Sequence, residues 1–126
     1  MKLSTPVKNA RLQVLADMID NSGGGTLTLY TAPQPATPDD ALNDQQALVA
    51  IPCAVPFASP ISDGQMALTP LAETMATNGG TPTWARLTNA DGVVLADLTV
   101  GTDITLGSDQ IYPGILVRVS AAGIAE

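Results

Sequence analysis

The feature that most constrains the fold of this chain is a predicted β-hairpin at residues 83–98, TWARLTNADGVVLADL. Two runs of strand-like alternation flank a short polar turn that ends in Asp91-Gly92, one of the strongest local signals for a hairpin. Trp84 and Arg86 share one face of the first strand, and Ala85 and Leu87 share the other. Large apolar side chains fall on both faces of the hairpin. We therefore expect it to be covered on both sides for part of its length, at the centre of a small β-sandwich.

The composition favours several short strands joined by tight turns. The chain is 45% hydrophobic and 13% charged, with 11 glycines and 10 prolines among 126 residues, which is unlike a disordered chain. Aromatic residues make up only 3%, so aliphatic side chains must build a thin core that gains from assembly with other subunits. We predict a mainly β protein, an antiparallel, jelly-roll-like β-sandwich with one N-terminal α-helix, that forms a homo-oligomer.

The helix is predicted over residues 4–22, because Ser4 or Thr5 can cap it and Pro6 suits its first turn. Three glycines at 23–25 end it and provide a hinge. The chain is thereby divided into an N-terminal helix and glycine hinge at residues 1–25 and a β-sandwich domain at residues 26–126. One side of the helix is apolar and either packs in its own core or docks on a partner subunit. The residues of that side are Val7, Ala10, Val14, Leu15, Met18 and Ile19.

Charge is distributed unevenly along the chain, whose five basic and 12 acidic residues give a net charge of −7. Three of the bases, Lys2, Lys8 and Arg11, lie close to the N-terminus. The remainder is strongly acidic and would repel the phosphates of duplex nucleic acid, and no apolar run approaches the length of a membrane span. We therefore expect the basic residues to bind a protein partner, and we expect neither nucleic acid nor a membrane as a partner.

A second candidate binding segment is the proline-rich loop at residues 32–44, APQPATPDDALND. Its prolines stiffen it, and it is longer than an ordinary connection between strands. We expect this loop to contact a partner through Pro33, Pro35, Pro38, Asp39 and Asp40. Its clustered carboxylates offer Ca²⁺ as an alternative ligand, but their spacing lacks the alternating pattern of a calcium-binding loop, so we assign no metal.

Few residues in the sequence can carry catalysis. The chain has no histidine and one cysteine, which excludes Ser-His-Asp and Cys-His arrangements, His-ligated metals and an intrachain disulfide. Cys53 lies in an apolar run and is interpreted as a small buried hydrophobe. Trp84 is interpreted as a core residue, with Arg86 either stacked on it or paired with an acid such as Asp97. We assign no catalytic residue, no cofactor and no enzymatic activity.

Several strand-and-turn patterns follow one another along the chain. A glycine break after the helix is followed by TLTLYTAPQPATP at residues 26–38, then by GTPTWARL at 80–87, DGVV at 91–94 and VGTDITL at 100–106. Together they resemble a group of small β-rich virion proteins encoded among the head and tail structural genes of tailed bacteriophages. The chain departs from this group at Ala85, where a larger aromatic is common, and in a C-terminal strand that is less rich in Thr. The resemblance implies a structural protein of the virion and transfers no active-site residues.

The resemblance leads to the hypothesis of a capsid decoration, or cement, protein. Such a chain is made in the cytoplasm of the bacterial host, is located in the virion and binds the major capsid protein or other virion proteins. One alternative places the same sandwich in the tail, neck or baseplate. Another is a carbohydrate-binding module that uses Trp84, Tyr30 or Tyr112, which requires an exposed aromatic side chain.

Overall fold

The computed structural model describes residues 1–125 of the chain, without the side chains of residues 59 and 60. These residues are mainly β, with 39% in strands and 13% in a helix. The elements are α1 (Thr5–Asp20), β1 (Gly25–Tyr30), β2 (Ala47–Pro52), β3 (Ala58–Ser62), β4 (Gln65–Leu68), β5 (Thr74–Met75), β6 (Trp84–Asn89), β7 (Val94–Thr99), β8 (Ile104–Leu106), β9 (Leu116–Val117) and β10 (Val119–Ala125).

Two four-stranded antiparallel sheets carry the fold. The first has the strand order β2-β1-β6-β7, the second has the order β3-β4-β10-β8, and β5 and β9 form a separate pair. Both sheets and α1 contribute to one cluster of buried apolar side chains, which is the main core. The predicted fold class, an antiparallel β-sandwich-like arrangement with one N-terminal helix, is confirmed.

The predicted hairpin is formed by β6 and β7. In its turn, the side-chain oxygen of Asn89 accepts hydrogen bonds from the backbone N–H groups of Asp91 and Val93, and Gly92 adopts a φ of +83° that favours glycine. β6 lies inside the first sheet, and its first four residues are buried on both faces. The expectation that the hairpin is covered on both sides is confirmed for β6.

The C-terminal strand differs from its prediction. The sequence pattern predicts a strand at 115–120 followed by a trailing tail, whereas β10 extends to Ala125 and pairs with both β4 and β8. Alanine and glycine have low strand propensity, so the local signal was weak, and pairing with two neighbouring strands determines the conformation instead. Residue 126 lies outside the described residues.

α1 ends as predicted, at the glycine run. The backbone N–H of Gly24 donates to the carbonyl oxygen of Ile19, and Gly23 adopts a φ of +96°. Gly25 begins β1, and a Cβ at this position would lie 2.7 Å from the backbone oxygen of Thr88. Gly25 is therefore closely packed between the end of α1 and β6, and the glycine run joins α1 directly to the strands of its own chain. Across residues 1–125, no helix is long and apolar enough to cross a membrane.

Only part of the predicted apolar side of α1 enters the core: Ile19 is buried and Leu15 packs against the core, but the rest of that side is exposed. Leu12, Ala16 and Ile19 are buried, whereas Val7, Val14 and Met18 are exposed. The helix carries two apolar stripes roughly 145° apart, and periodicity alone does not decide which of them faces inward.

Polar anchors on α1 fix its rotation. The side-chain oxygen of Asn9 accepts a hydrogen bond from the backbone N–H of Gly64. The carboxylate of Asp20 accepts one from the N–H of Phe57. Both bonds require that Leu12 face the core, because rotating the helix toward Val14 would break them.

We predict that Leu12→Ala lowers the free energy of unfolding by about 2–4 kcal/mol, because it opens a cavity in the core. Val14→Ala should change it by no more than about 0.5 kcal/mol, because Val14 is exposed. Urea unfolding followed by the fluorescence of the single Trp measures both values. Submicromolar protein keeps contacts between copies out of the measurement. Equal losses for the two variants would contradict the assignment of the buried face.

Cys53 gives a second prediction. It is half-buried against the core, and burial raises the pKa of its thiol from 9.0 to about 11. At about pH 8 its thiolate fraction, and with it alkylation by iodoacetamide, should be about a hundredfold lower than in the urea-unfolded chain. Mass spectrometry of the alkylated chain measures the rate, and equal rates in the folded and unfolded states would contradict the burial.

The same raised pKa links folding to pH. The folded chain keeps a thiol proton that the unfolded chain loses, so the free energy of unfolding falls as the pH rises from about 9 to about 11. Cys53→Ser, which removes the thiol, should not show this part of the decrease.

Candidate functional site

The outer face of the first sheet carries a row of polar and aromatic side chains. The register places Trp84 between Tyr30 and Thr99, and places Arg86 between Thr28 and Asp97. These residues point away from the main core, because their neighbours along each strand supply its apolar side chains. The face is therefore a second layer, separate from the main core, in which Trp84 and Arg86 are buried and their cross-strand neighbours are half-buried; the proline-rich loop is hydrogen-bonded to it.

Arg86 is the centre of this layer. Its side chain makes two parallel hydrogen bonds to the carboxylate of Asp97, from Nε at 2.8 Å and from Nη2 at 3.0 Å. Its Nη1 donates to the backbone oxygen of Asp40 at 3.0 Å. The guanidinium lies 5.3 Å from the ring centroid of Trp84, in the geometry of a cation–π contact.

Burial and charge act in opposite directions on Arg86. The hydrogen-bonded carboxylate of Asp97 raises the pKa of the guanidinium, and burial partly offsets that rise. The residue is only 6% exposed, so its charge needs the carboxylate for compensation. The sequence offers two interpretations of Arg86, stacking on Trp84 or pairing with Asp97. Both are confirmed, because Arg86 makes the two contacts at the same time.

Trp84 is a fully buried residue, with 0% of its surface exposed. Its indole Nε1 donates to the backbone oxygen of Thr31 at 2.8 Å, and Tyr30 stacks on its ring with centroids 4.8 Å apart and an angle of 19° between the planes. The pKa of Tyr30 is raised overall, mainly because burial disfavours the charged phenolate. The positive charge of Arg86 partly offsets this rise, and the negative charge of Asp97 adds to it. The interpretation of Trp84 as a core residue is confirmed, although its layer is the outer one.

Side chains on the strands of this layer donate hydrogen bonds to the proline-rich loop and hold it in place. Besides the bond from Arg86 to Asp40, the hydroxyl of Thr99 donates to the side-chain oxygen of Gln34. Within the loop region, the side-chain nitrogen of Gln45 donates to the backbone oxygen of Pro33 at 2.7 Å. A turn at residues 37–40 is closed by a hydrogen bond from the N–H of Asp40 to the backbone oxygen of Thr37.

The predicted contact residues of the loop are largely open to solvent. Pro33, Pro38, Asp39 and Asp40 are exposed, and Pro35 is half-buried. The structure therefore presents these side chains on one segment whose backbone is tied down. No set of three or more Cys, Asp or Glu residues among residues 1–125 is placed to hold a metal ion.

The three predicted basic contact residues also come together. Lys2, Lys8 and Arg11 line one open concavity of about 420 Å³ at the start of α1, together with Met1 and Leu3. We call these three residues the basic cluster. Lys8 is half-buried, and its aliphatic stem lies against Gly64 in the turn between β3 and β4. This contact leaves the charged end of Lys8 to line the concavity.

A larger shallow concavity, of about 560 Å³, runs along β4 and β10 on the second sheet. Small side chains such as Ala67 and Ala121 line much of it, and Asp63 and Asp103 are its carboxylates. The carboxylate of Asp103 accepts a hydrogen bond from the backbone N–H of Thr99. Asp103 therefore has a structural role in the turn after β7.

Sequence reasoning missed how the loop is attached. The key acceptor is the backbone oxygen of Asp40, and a carbonyl group carries no sequence signal. Gln34 and Gln45 also act as anchors, and nothing in their spacing pointed to this role. One available signal was the spacing of Trp84 and Arg86, which are two residues apart and so share one face of a strand. A segment that buries the Trp on that face must also cover the Arg, so the spacing could have predicted a covering loop.

We predict that Asp97→Asn lowers the free energy of unfolding by about 3–5 kcal/mol, because it leaves the buried charge of Arg86 uncompensated. The loop should loosen at the same time, so that the Trp84 emission shifts to the red and proteases cleave within residues 32–44. Denaturant unfolding, fluorescence and limited proteolysis measure these effects.

Asp91→Asn is the matched control for this prediction. It makes the same chemical change in the exposed turn of the same hairpin, so the unfolding free energy should stay within about 0.5 kcal/mol of the unmodified chain. If Asp97→Asn behaved like this control, Arg86 would not hold the layer together.

The chain was also compared with known proteins. No family model, no curated protein and no solved structure matches it. The resemblance to bacteriophage virion proteins therefore stays a prediction that rests on the patterns at residues 26–38, 80–87, 91–94 and 100–106.

Proposed function

We propose that this chain is a non-enzymatic structural protein of a bacteriophage virion, a capsid decoration protein that binds the assembled shell. The observation that carries the proposal is the proline-rich loop, whose backbone is held by Arg86 while its proline and acidic side chains are exposed. The resemblance of the sequence to virion proteins of tailed phages supplies the class of partner.

A loop that is rigid before it meets a partner suits a protein whose function is to bind another surface. Proline fixes φ, and the bond from Arg86 to Asp40 removes further freedom before any partner is met. Binding then costs less conformational entropy than it would for a free loop of the same length. The loop thus supports a binding role in which Pro33, Pro38 and Asp39 form a preorganised contact.

The basic cluster supports a second contact of opposite charge. Lys2, Lys8 and Arg11 provide three of the five bases of a chain whose net charge is −7. Opposite charges on two separate segments orient a protein on a patterned surface and disfavour wrong partners. A shell built from repeated subunits offers such a pattern at every repeat.

The alternatives are distinguished by other observations. A position in the tail, neck or baseplate uses the same two segments and differs in the number of copies per particle. A carbohydrate-binding role through Trp84 is disfavoured, because that ring is covered by the loop and stacked on Tyr30. Tyr30 is half-buried and engaged with Trp84, so Tyr112, which is exposed, would be the most accessible aromatic platform.

The number of copies per particle tests the proposal. Quantitative mass spectrometry of purified particles should find the chain in amounts comparable to the major capsid protein. One ring of copies per particle would instead indicate a neck, tail or baseplate component. Absence from the particles would contradict a virion role.

Charge-reversal variants test the two contact segments. Lys2→Glu with Lys8→Glu, and separately Asp39→Lys with Asp40→Lys, should each weaken binding to shells that lack the chain by about tenfold or more, which corresponds to about 1.4 kcal/mol. Asp91→Lys is the control, because it reverses an exposed charge in the hairpin turn. Sedimentation of bound protein with the shells measures the affinity. Unchanged affinity for either double variant would remove that segment from the interface.

A further inference from the structure

An apolar cleft lies between β9 and the loop that follows β8. Its volume is about 310 Å³, at the lower end of the range for sites that bind small molecules. Its described lining residues lie within residues 106–118, outside the basic cluster and the proline-rich loop. We call it the β9 cleft. Its apolar lining residues are Leu106, Ile111, Ile115, Leu116 and Val117.

The β9 cleft has a fixed floor and an open rim. Ile111 and Val117 are buried in the main core, and Ile111 exchanges two backbone hydrogen bonds with Gly80. The cleft is therefore formed before any ligand binds. Leu116 at its rim is 59% exposed, so an apolar ligand that contacts it displaces water from an apolar surface, which is favourable.

The polar side chains of the β9 cleft have occupied acceptors and a free donor. Ser108 donates its hydroxyl to the backbone oxygen of Gln110 at 3.0 Å, and its own oxygen accepts from the backbone N–H of Gln110 at 3.4 Å. The side-chain oxygen of Gln110 accepts from the hydroxyl of Thr81 at 2.8 Å. The side-chain NH₂ of Gln110 is then a donor for which residues 1–125 supply no acceptor.

Arg118 is the charged residue that lines the β9 cleft. It is exposed, and its guanidinium forms no hydrogen bond or ion pair with another residue of the described part of the chain. Asp109, the acid of the adjacent loop, does not line the cleft. The cleft therefore combines apolar walls with a second free donor that carries a positive charge, in a chain whose net charge is −7.

We propose that the β9 cleft binds a small apolar carboxylate. The hydrocarbon part of the ligand contacts Leu106 and Leu116, and its carboxylate accepts hydrogen bonds from Arg118 and Gln110. A carboxylate carries acceptors alone, which matches the two free donors, and an Arg can bond both of its oxygens at once. An ammonium ligand would bring donors to donors and a like charge to Arg118, so the cleft selects the anion.

The size of the ligand sets the expected affinity. Octanoate, with about ten non-hydrogen atoms, should bind with a dissociation constant on the order of 0.1–1 mM. Because Arg118 is exposed, salt screens its charge, and the affinity for octanoate should fall as salt is added. The site is independent of the proposed function, because it is tested on the purified chain with no virion protein present.

Three ligands with the same hydrocarbon chain test the site. Octanoate is the probe, and 1-octanol and octylammonium are its neutral and positively charged controls. Amide chemical shifts of the isotope-labelled chain show where each ligand binds and how tightly. Octanoate should shift amides within residues 106–118 in a saturable manner and bind about tenfold more tightly than either control, because only it forms charge-assisted hydrogen bonds with Arg118. Shifts that do not saturate, shifts confined to other parts of the chain, or equal affinities for the three ligands would overturn the proposal.

A matched pair of variants tests the head-group contact. Arg118→Gln should weaken the binding of octanoate about tenfold and leave that of 1-octanol unchanged, because it removes the charge and keeps the apolar walls. Lys2→Gln removes one exposed positive charge elsewhere on the chain and should leave both affinities unchanged. Equal losses in the two variants would mean that net charge, and not Arg118, governs binding, and would overturn the proposal.

A second matched pair tests the apolar walls. Leu116→Ala should weaken the binding of both octanoate and 1-octanol, because both ligands use the hydrocarbon contact. Val14→Ala removes apolar atoms at a position with the same exposed fraction, 59%, and should weaken neither. All four substituted side chains are exposed, so each variant should keep the fold, which the fluorescence of the single Trp checks. Equal losses in Leu116→Ala and Val14→Ala would overturn the assignment of the ligand to the β9 cleft.

Discussion

Arg86 carries its charge on a strand that is buried on both faces, and a guanidinium in such a position requires a partner. Removing either member of a buried ion pair typically costs about 3–5 kcal/mol, because the other charge is left without compensation. Asp97 supplies the carboxylate from the adjacent strand, in a register that brings the two residues directly opposite each other. The backbone oxygen of Asp40 accepts from the remaining edge of the guanidinium. The pairing of β6 with β7 and the position of the proline-rich loop therefore both depend on the need to satisfy the buried guanidinium of Arg86.

This requirement explains why a small chain with 3% aromatic residues keeps its only Trp outside the main core. The main core is filled mostly by aliphatic side chains and by the ring of Phe57, and Trp84 instead occupies the opposite face of the first sheet. There it contacts Arg86 and Tyr30 and donates a hydrogen bond to Thr31. The loop that covers the ring also carries the exposed prolines and acids. The segment assigned to binding is thus positioned by an interaction that belongs to folding.

The elements predicted well from the sequence are those whose signal is local. The hairpin turn at Asp91-Gly92 and the end of α1 at the glycine run depend on φ angles that few residues adopt, so they can be read from the residue types. The side of α1 that faces the core was predicted only in part, because the helix has two apolar stripes and the choice between them is made by Asn9 and Asp20, which bond to the backbone beside β3 and β4. The basic cluster was predicted as a group because its members lie close together in sequence. The anchoring of the loop was not predicted, because a backbone carbonyl has no sequence signature.

Val7, Val14 and Met18, the part of the predicted side that stays exposed, carry an energetic cost. An apolar stripe that the monomer leaves in water is unfavourable by roughly 25 cal/mol for each Å² of apolar surface, and this helix keeps such a stripe although its opposite face already satisfies the core. Its charges likewise add to the dipole instead of opposing it. Each feature is unfavourable for an isolated helix, so α1 is stabilised by its buried side and by the bonds that Asn9 and Asp20 accept from the rest of the chain.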